Sequence, residues 1–383
     1  MKVKSNTFVK LAVGATAALL MGLAIAPAVK AAGPEIVSGP ASDTQCYVPR
    51  TPDTKFFKFP AKAGPYRIAL ANGKIDNLWR IQMIQTAKAY AAQADVAKDI
   101  KEFKVVSTGA DVAAQVAAIN NFIDAGYDAI VTDAESAAAL APVIKRAKEA
   151  GVVLVAFDGT VDDSTDLINV NVDQKFMGYN WAQWLVKNLP NGGKILEVRG
   201  PAGHPVDAAR HEGVLQAFAE SGKKFDVTSV DGSWSDPVAQ KATADAIATS
   251  GPFDGITAQG GDTGIIQAMI DAKQPWVPFG GEMENGFRKA CAKYASQGLK
   301  CSSAGSGPAQ VAVAIKTAID ALKGNVVPQY VALPLSSVED PDFKDGVNFF
   351  QDASDNFFVG NSYPTCGINF NAQEILGQTK ENS

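Results

Sequence analysis

Between positions 128 and 159 the chain reads DAIVTDAESAAALAPVIKRAKEAGVVLVAFDG, and the period of its apolar residues changes twice. A short apolar run at 129–132 gives way to Val143, Ile144 and Ala147 at helical spacing. Gly151 then stops the helix, and the run at 152–157 is apolar at every position. This pattern predicts strand, helix, strand. A strand apolar on both sides must be covered on both faces, as in an open parallel sheet, so the stretch is a βαβ unit. Such sheets bind ligands beyond the carboxyl ends of their strands. Asp158, directly after Phe157, stands at one of those ends and is the first candidate functional residue.

The same alternation runs along most of the chain. Strand-like runs at 66–71, 103–108, 129–132 and 152–157 alternate with helical runs near 78–94, 111–125 and 142–150. In the second helical run Val112, Val116, Ile119 and Ile123 form one stripe. A polar stretch at 159–166 follows, and 167–172 reads as the first crossing into a second half. That half has strands at 194–198, 225–230, 255–258 and 276–279 and helices at 176–189, 208–221, 237–249 and 263–272. The expected fold class is therefore α/β, with two doubly wound parallel-sheet lobes joined by a multi-crossing hinge. The first lobe is expected over 66–166, completed by about 305–334, and the second over 167–304. Residues 33–65, rich in Pro and Gly, read as a strap without its own core. A C-terminal strand and extension at 335–383 carries Phe349, Phe350, Phe357 and Phe358 and is too apolar to be a free tail.

Length and composition agree with this division, since 383 residues suffice for about two domains and 46% hydrophobic with 20% charged residues is a globular balance. A formal charge of −5 leaves no electrostatic footprint for nucleic acid, so partners are expected among small molecules and proteins. Residues 1–32 stand apart: Lys2, Lys4 and Lys10 precede an apolar run at 11–28, and a small-residue ending follows at 29–32. This is the pattern of a cleaved export signal, and Gly14, Gly22 and Pro27 argue against a membrane anchor. Its removal takes away four lysines and no acids, moving the charge from −5 to −9. The compartment is then periplasmic and permits disulfides. Four cysteines allow three pairings. Cys291 and Cys301 are the only close pair and are expected to bond, leaving Cys46 and Cys366 to tie the terminal extensions. No metal site is expected, because there is no C-x-x-C and His204 and His211 have no ligand spacing with the cysteines.

The polar residues that follow strands are Asn72, Asp158, Arg199 and Glu282, with Asn77 and Asp262 near the starts of helices. If the halves face one another, these groups converge on an interdomain cleft, a common place for small-ligand sites. Asn77 can also act simply as a helix cap. Trp79 and Arg80 in the first helical turn suit a polar ligand with an apolar face, the ring as a floor and the guanidinium as a fork. Taken alone, Arg210 reads as a solvated helix residue and Trp234 as a loop anchor. Together with Asp158 they complete two aromatics, two guanidiniums and a carboxylate, a set suited to a sugar. On this view Arg210 is exposed in an open cleft, and its replacement by Ala should leave the fold nearly intact. Catalytic machinery is not evident: Gly305-x-Gly307 lacks the third glycine of a dinucleotide fingerprint, GPAGHP and QGGDTG lack a phosphate-loop lysine, and His204 and His211 lack a nucleophile. No cofactor is expected.

The motifs IALAN, DNLWR, D-x-x-x-Q-x-x-x-I at 111–119, GYDAIV, IKRAKEAGVVLVAFD, INVNVDQ, GPAG, AARHEG and AQGGDTG follow one another in an order that resembles the sugar-binding proteins of ABC importers, of the ribose-binding, type I periplasmic binding protein kind. The resemblance covers roughly 66–335. Repressors of the lactose-repressor type share the core but begin with a DNA-binding helix-turn-helix, whereas here an export signal stands in that place. The resemblance implies that Asn77, Trp79, Asp158, Arg210 and Trp234 contact the sugar. Arg80 stands where ribose binders have a second Phe, a pairing similar to galactofuranose-type receptors. Gly159 replaces an Arg, Gly261 replaces the Asn before Asp262, and GGEMENG replaces G-F-D-G, leaving Glu282 as the acid. The resulting expectation is a monomeric, non-enzymatic receptor that closes two lobes on a monosaccharide or polyol and passes it to a membrane permease. Alternatives are a receptor for another polar solute such as a sugar acid, and an exported enzyme acting on sugars.

Overall fold

Alternate side chains of a strand face opposite sides of its sheet, and in Val153–Phe157 both sides find a core. Val153, Val155 and Phe157 pack into a cluster with Ile68 and Leu70, while Leu154 and Ala156 join a second cluster with Ala69, Ile119 and Ile144. This double burial explains the unbroken apolar run. It recurs in the second half, where Leu196 and Val198 pack on one face and Ile195 on the other. The computed structural model describes residues 33–75, 77–159, 161 and 166–378; the expected export signal lies outside the described residues.

Two six-stranded sheets result. The first has the spatial order Ile100–Ser107, Tyr66–Asn72, Ala129–Asp133, Val153–Phe157, Ile168–Asn171, Tyr330–Ala332, all parallel. The second runs Phe225–Asp231, Gly193–Arg199, Gly255–Ala258, Phe279–Gly281, Cys301–Gly305, and ends on the antiparallel edge strand Ser336–Glu339. Each sheet reverses its strand order beside its first strand, which fixes where its ligand crevice lies.

One boundary differs from the expectation. Residues 167–172 do not open the second lobe: Ile168–Asn171 is buried at all four positions and pairs in parallel with Val153–Phe157. The strand thus belongs to the first sheet, and the chain leaves that lobe only after Asn171. It returns after Gly305 through helix Gln310–Leu322, which packs on the first sheet, and crosses again between Tyr330–Ala332 and Ser336–Glu339.

The N-terminal strap contributes Glu35–Val37 and Phe56–Lys58 to a small antiparallel sheet with Val326–Pro328, and its Tyr47 and Phe57 enter the first-lobe core. The expected disulfides are present. Cys291–Cys301 has an S–S distance of 2.11 Å, and Cys46–Cys366, at 2.05 Å, joins the two extensions. Among the described residues no helix is long and apolar enough to cross a membrane.

Candidate functional site

Helix Leu78–Ala91 begins beside the carboxyl ends of the first two paired strands of the first lobe. Asn77 caps it, its side-chain oxygen accepting the Arg80 N–H at 2.9 Å, so the bland role foreseen for Asn77 holds while the residue also lines the cleft. Arg80, in the first turn, reaches over the strand ends at Asn72 and Asp133, which are register partners where the strand order reverses. Its Nη1 lies 2.6 Å from Asp133 Oδ2 and donates to Asn72 Oδ1 at 2.9 Å, and its Nη2 lies 3.5 Å from Glu135 Oε1. Arg80 is 3% exposed and Asp133 0%. Burial pushes the Asp133 carboxyl up, against the opposite pull of the guanidinium. Trp79, half-buried, lines the same wall with its indole N–H donating to the Ser306 carbonyl at 2.8 Å.

In the second lobe Arg210, from helix Pro205–Glu220, is 5% exposed rather than solvated, which overturns the expectation of a freely exposed side chain. Its Nε donates to Gln174 Oε1 at 2.9 Å, its Nη1 donates to the Gln259 carbonyl at 3.1 Å and lies 3.0 Å from Glu282 Oε1. Burial raises the Glu282 carboxyl and Arg210 opposes that shift. Glu284, two residues on, accepts the Gly261 N–H at 2.7 Å and is pushed up to about 8 by burial and then by the charge of Asp236. Asp262 does not line the cleft. Fully buried at the start of helix Asp262–Asp271, its Oδ2 accepts the Glu282 N–H at 3.2 Å, so it supports the strand end behind the wall. Arg199 likewise turns away, to Asp207, with Nε donating at 3.0 Å.

Trp234 sits in left-handed backbone, φ 53°, after Ser233 at φ 51°. Such conformations cost of order 1 kcal/mol or more for a side-chain-bearing residue and cluster at functional sites. The strained turn lays the ring against Gly200, where an added Cβ would stand 2.3 Å from Trp234 Cε2. His204 packs edge-on to that ring at 4.8 Å. Its Nδ1 accepts the Val206 N–H at 3.3 Å, and burial, with the charge of Arg80, lowers it to about 3. His204 is a neutral cap, not a base.

Asp158, also left-handed at φ 56°, lies where the connections meet. Its Oδ1 accepts from Gln174 at 3.2 Å, from Gln310 at 2.9 Å and from the Ser306 hydroxyl at 3.4 Å. Gln174 follows the first crossing, and Ser306 and Gln310 flank the second. Among the described residues every side-chain donor to this carboxylate comes from a connection between lobes.

The cavity so enclosed measures about 480 Å³. Asn77, Leu78, Trp79, Arg80 and Asp158 line it from one lobe, and Val206, Arg210, Trp234, Gln259, Glu282 and Glu284 from the other. Seven of the eight sequence candidates thus meet at one cleft. Asp133 was missed although it ends a strand as Asp158 does, and the same rule would have found it. Glu284 could have been read from its place two residues after Glu282. Nothing local signals Gln174 or Gln310, whose roles come from the crossings. Among the described residues no group of three or more His, Cys, Asp or Glu side chains is arranged to hold a metal ion.

A family model described as a periplasmic binding protein domain matches residues 68–325. The xylitol-binding protein of Mycolicibacterium smegmatis is 28% identical over 178 residues, 46% of this chain and 51% of that protein. The D-xylose-binding periplasmic protein of Escherichia coli is 30% identical over 176 residues, 43% of this chain and 52% of that protein. The chain thus spans about half the length of these curated relatives. The crystal structure of an ABC transporter solute binding protein from Thermobispora bispora superimposes with a TM-score of 0.66 at 27% identity, covering 72% of this chain and 86% of that one. With two α/β lobes facing across a lined cleft and the family match covering both, the chain belongs to the periplasmic binding protein domain family.

Proposed function

We propose that this chain is an exported receptor that captures a neutral monosaccharide or polyol between its lobes and delivers it to the permease of an ABC importer. The observation that carries the reading is that both cleft guanidiniums are already neutralised from within. Arg80 is paired with Asp133 and Glu135, and Arg210 with Glu282. Asp158 and Asp236 add further carboxyl groups to the lining. A sugar acid would have to compete with buried ion pairs and face additional acids, which disfavours it. Hydroxyl groups, each donor and acceptor, can use the remaining lone pairs and N–H groups of such fixed pairs without separating charge. Trp79 and Trp234 supply apolar faces for the C–H side of a sugar.

The cavity size suits one sugar unit, and relatives named for xylitol and D-xylose fall in the same chemical class. A ligand satisfied by both lobes at once binds the closed arrangement better than the open one, and that difference drives closure. The enzyme alternative has no support in the cleft, where His204 is a buried neutral cap, and the family is one of binding proteins.

A thermal-shift screen of the full chain against neutral pentoses, hexoses, pentitols and hexitols tests the reading. A ligand binding only the native state raises its stability by about 2.7 kcal/mol at a hundredfold excess over Kd. A shift with a neutral sugar or polyol, recovered chemically unchanged after incubation, is expected. Turnover of the ligand would overturn the receptor reading. Loss of uptake of that ligand in cells lacking the chain would support delivery to a permease.

A further inference from the structure

Residues 340–378 lie beyond the matched family segment of 68–325, yet they make a fourth passage between the lobes. After the edge strand Ser336–Glu339 the chain lies on the second-lobe helix Asn285–Tyr294. Asn285 Nδ2 donates to the carbonyls of Phe350 at 2.9 Å and Ser354 at 3.0 Å, while Asn285 Oδ1 accepts the Phe350 N–H at 2.8 Å. Shortly afterwards the first lobe takes hold. Gln82, 3% exposed, accepts the Phe358 N–H at 2.9 Å and donates to the Phe358 carbonyl at 2.8 Å and to Asn361 Oδ1 at 2.9 Å. Within the second anchorage the strap passes Gly307 in the second crossing so closely that a Cβ there would stand 2.0 Å from the Gly360 carbonyl oxygen. Beyond them, the Cys366–Cys46 bond fixes its far end.

A buried amide whose oxygen and amino group both bond one short stretch of backbone holds that stretch in register. The part so held presents Asn356 and Phe358 to the cavity. We propose that this strap is a third wall of the ligand site, with Phe358 and Asn356 as specificity-determining residues that restrict the ligand to a single sugar unit. The proposal rests on the sugar-receptor reading above. Phe358, buried, gives a fixed apolar surface that a second sugar unit would have to displace against the Gln82 clasp. Asn356, exposed at the edge of the strap, offers a donor and an acceptor to a hydroxyl.

The test compares the full chain with Phe358→Ala, Phe358→Leu and Asn356→Ala by calorimetry. Its probes are the neutral monosaccharide or polyol giving the largest thermal shift, and the disaccharides sucrose, lactose and trehalose. The unsubstituted chain should bind the former and none of the latter. Phe358→Ala should weaken the small ligand by about tenfold or more and admit a disaccharide, with Phe358→Leu between. Asn356→Ala, at an exposed position that leaves the fold intact should Phe358→Ala fail to fold, should weaken it by roughly three- to tenfold. Unchanged affinity and unchanged rejection of disaccharides in these variants would overturn the wall and leave the receptor reading standing. If the unsubstituted chain gave no shift with any neutral sugar or polyol, the receptor reading would fall, and the wall with it.

Discussion

The two arginines of the cleft are alike in burial and opposite in what they are tied to. Arg80 is caged by Asn72, Asp133 and Glu135, all from the first lobe, and two of these sit at the ends of neighbouring strands of one sheet. Arg210 is held by Glu282 and the Gln259 carbonyl of its own lobe, but also by Gln174, which reaches on to Asp158 in the other lobe. One guanidinium is therefore part of a rigid floor, and the other is wired to the hinge. On the proposed receptor reading, lobe closure would leave the first cage intact and disturb the chain Arg210–Gln174–Asp158. On that reading the first lobe is preorganised and the second carries the link that closure would change.

The comparison can be broken most forcefully at Arg80. Arg80→Met leaves Asp133 buried without its cation, and removing one member of a buried pair costs about 3–5 kcal/mol, measurable by urea unfolding. Arg210→Met should cost only about 1–3 kcal/mol, because Glu282 keeps the attraction of a second buried guanidinium, Arg288, whereas Asp133 is offset by Arg80; its larger effect should be on ligand affinity. Equal stability losses at the two positions would erase the distinction between floor and hinge.

A smaller change sharpens it. Gln174→Ala removes the link between Arg210 and Asp158 at a cost of about 1 kcal/mol in stability. Calorimetry should show a ligand affinity lowered by roughly three- to tenfold. Unaltered affinity would mean that the link plays no part in closure.

The last test is of pH dependence. Glu284, pushed up to about 8 from an ordinary 4.5, binds its proton in the native chain where the unfolded chain has released it. Stability is then fully present below the unfolded value and falls as pH rises from about 4.5 to about 8. The apo melting temperature should be higher near the acid end of that window. Glu284→Gln, which cannot ionise, should flatten the slope, and an unchanged slope in that variant would remove Glu284 as its source.

Much of the architecture was legible because burial on both faces writes itself into the sequence as unbroken apolar strands, as at Val153–Phe157. The polar residues just after such strands were legible for the same reason, and Asp158 and Glu282 followed from it. Ile168–Asn171 was misplaced because a polar stretch before a strand has the same composition whether or not the chain changes lobe there, and only pairing with Val153–Phe157 decides. Arg210 was read as exposed in an open cleft although it shares its helix's buried stripe with Val206, Val214 and Ala217; the partners that let a guanidinium sit there, Glu282 and Gln174, come from other elements and leave no local signal. Arg199 follows the strand-end rule yet turns away from the cleft to Asp207, since the rule locates a backbone and not a side chain.

A cleft neutralised from within should take an uncharged polyhydroxylated ligand, and titrating a matched pair of one carbon skeleton into the full chain separates the cases: the best-binding neutral sugar or polyol and its carboxylic acid, at neutral pH in a calorimeter. The neutral member should bind about tenfold or more tightly than the acid, at least about 1.4 kcal/mol apart. An acid that binds as tightly as its neutral counterpart, or more tightly, would contradict that neutralisation.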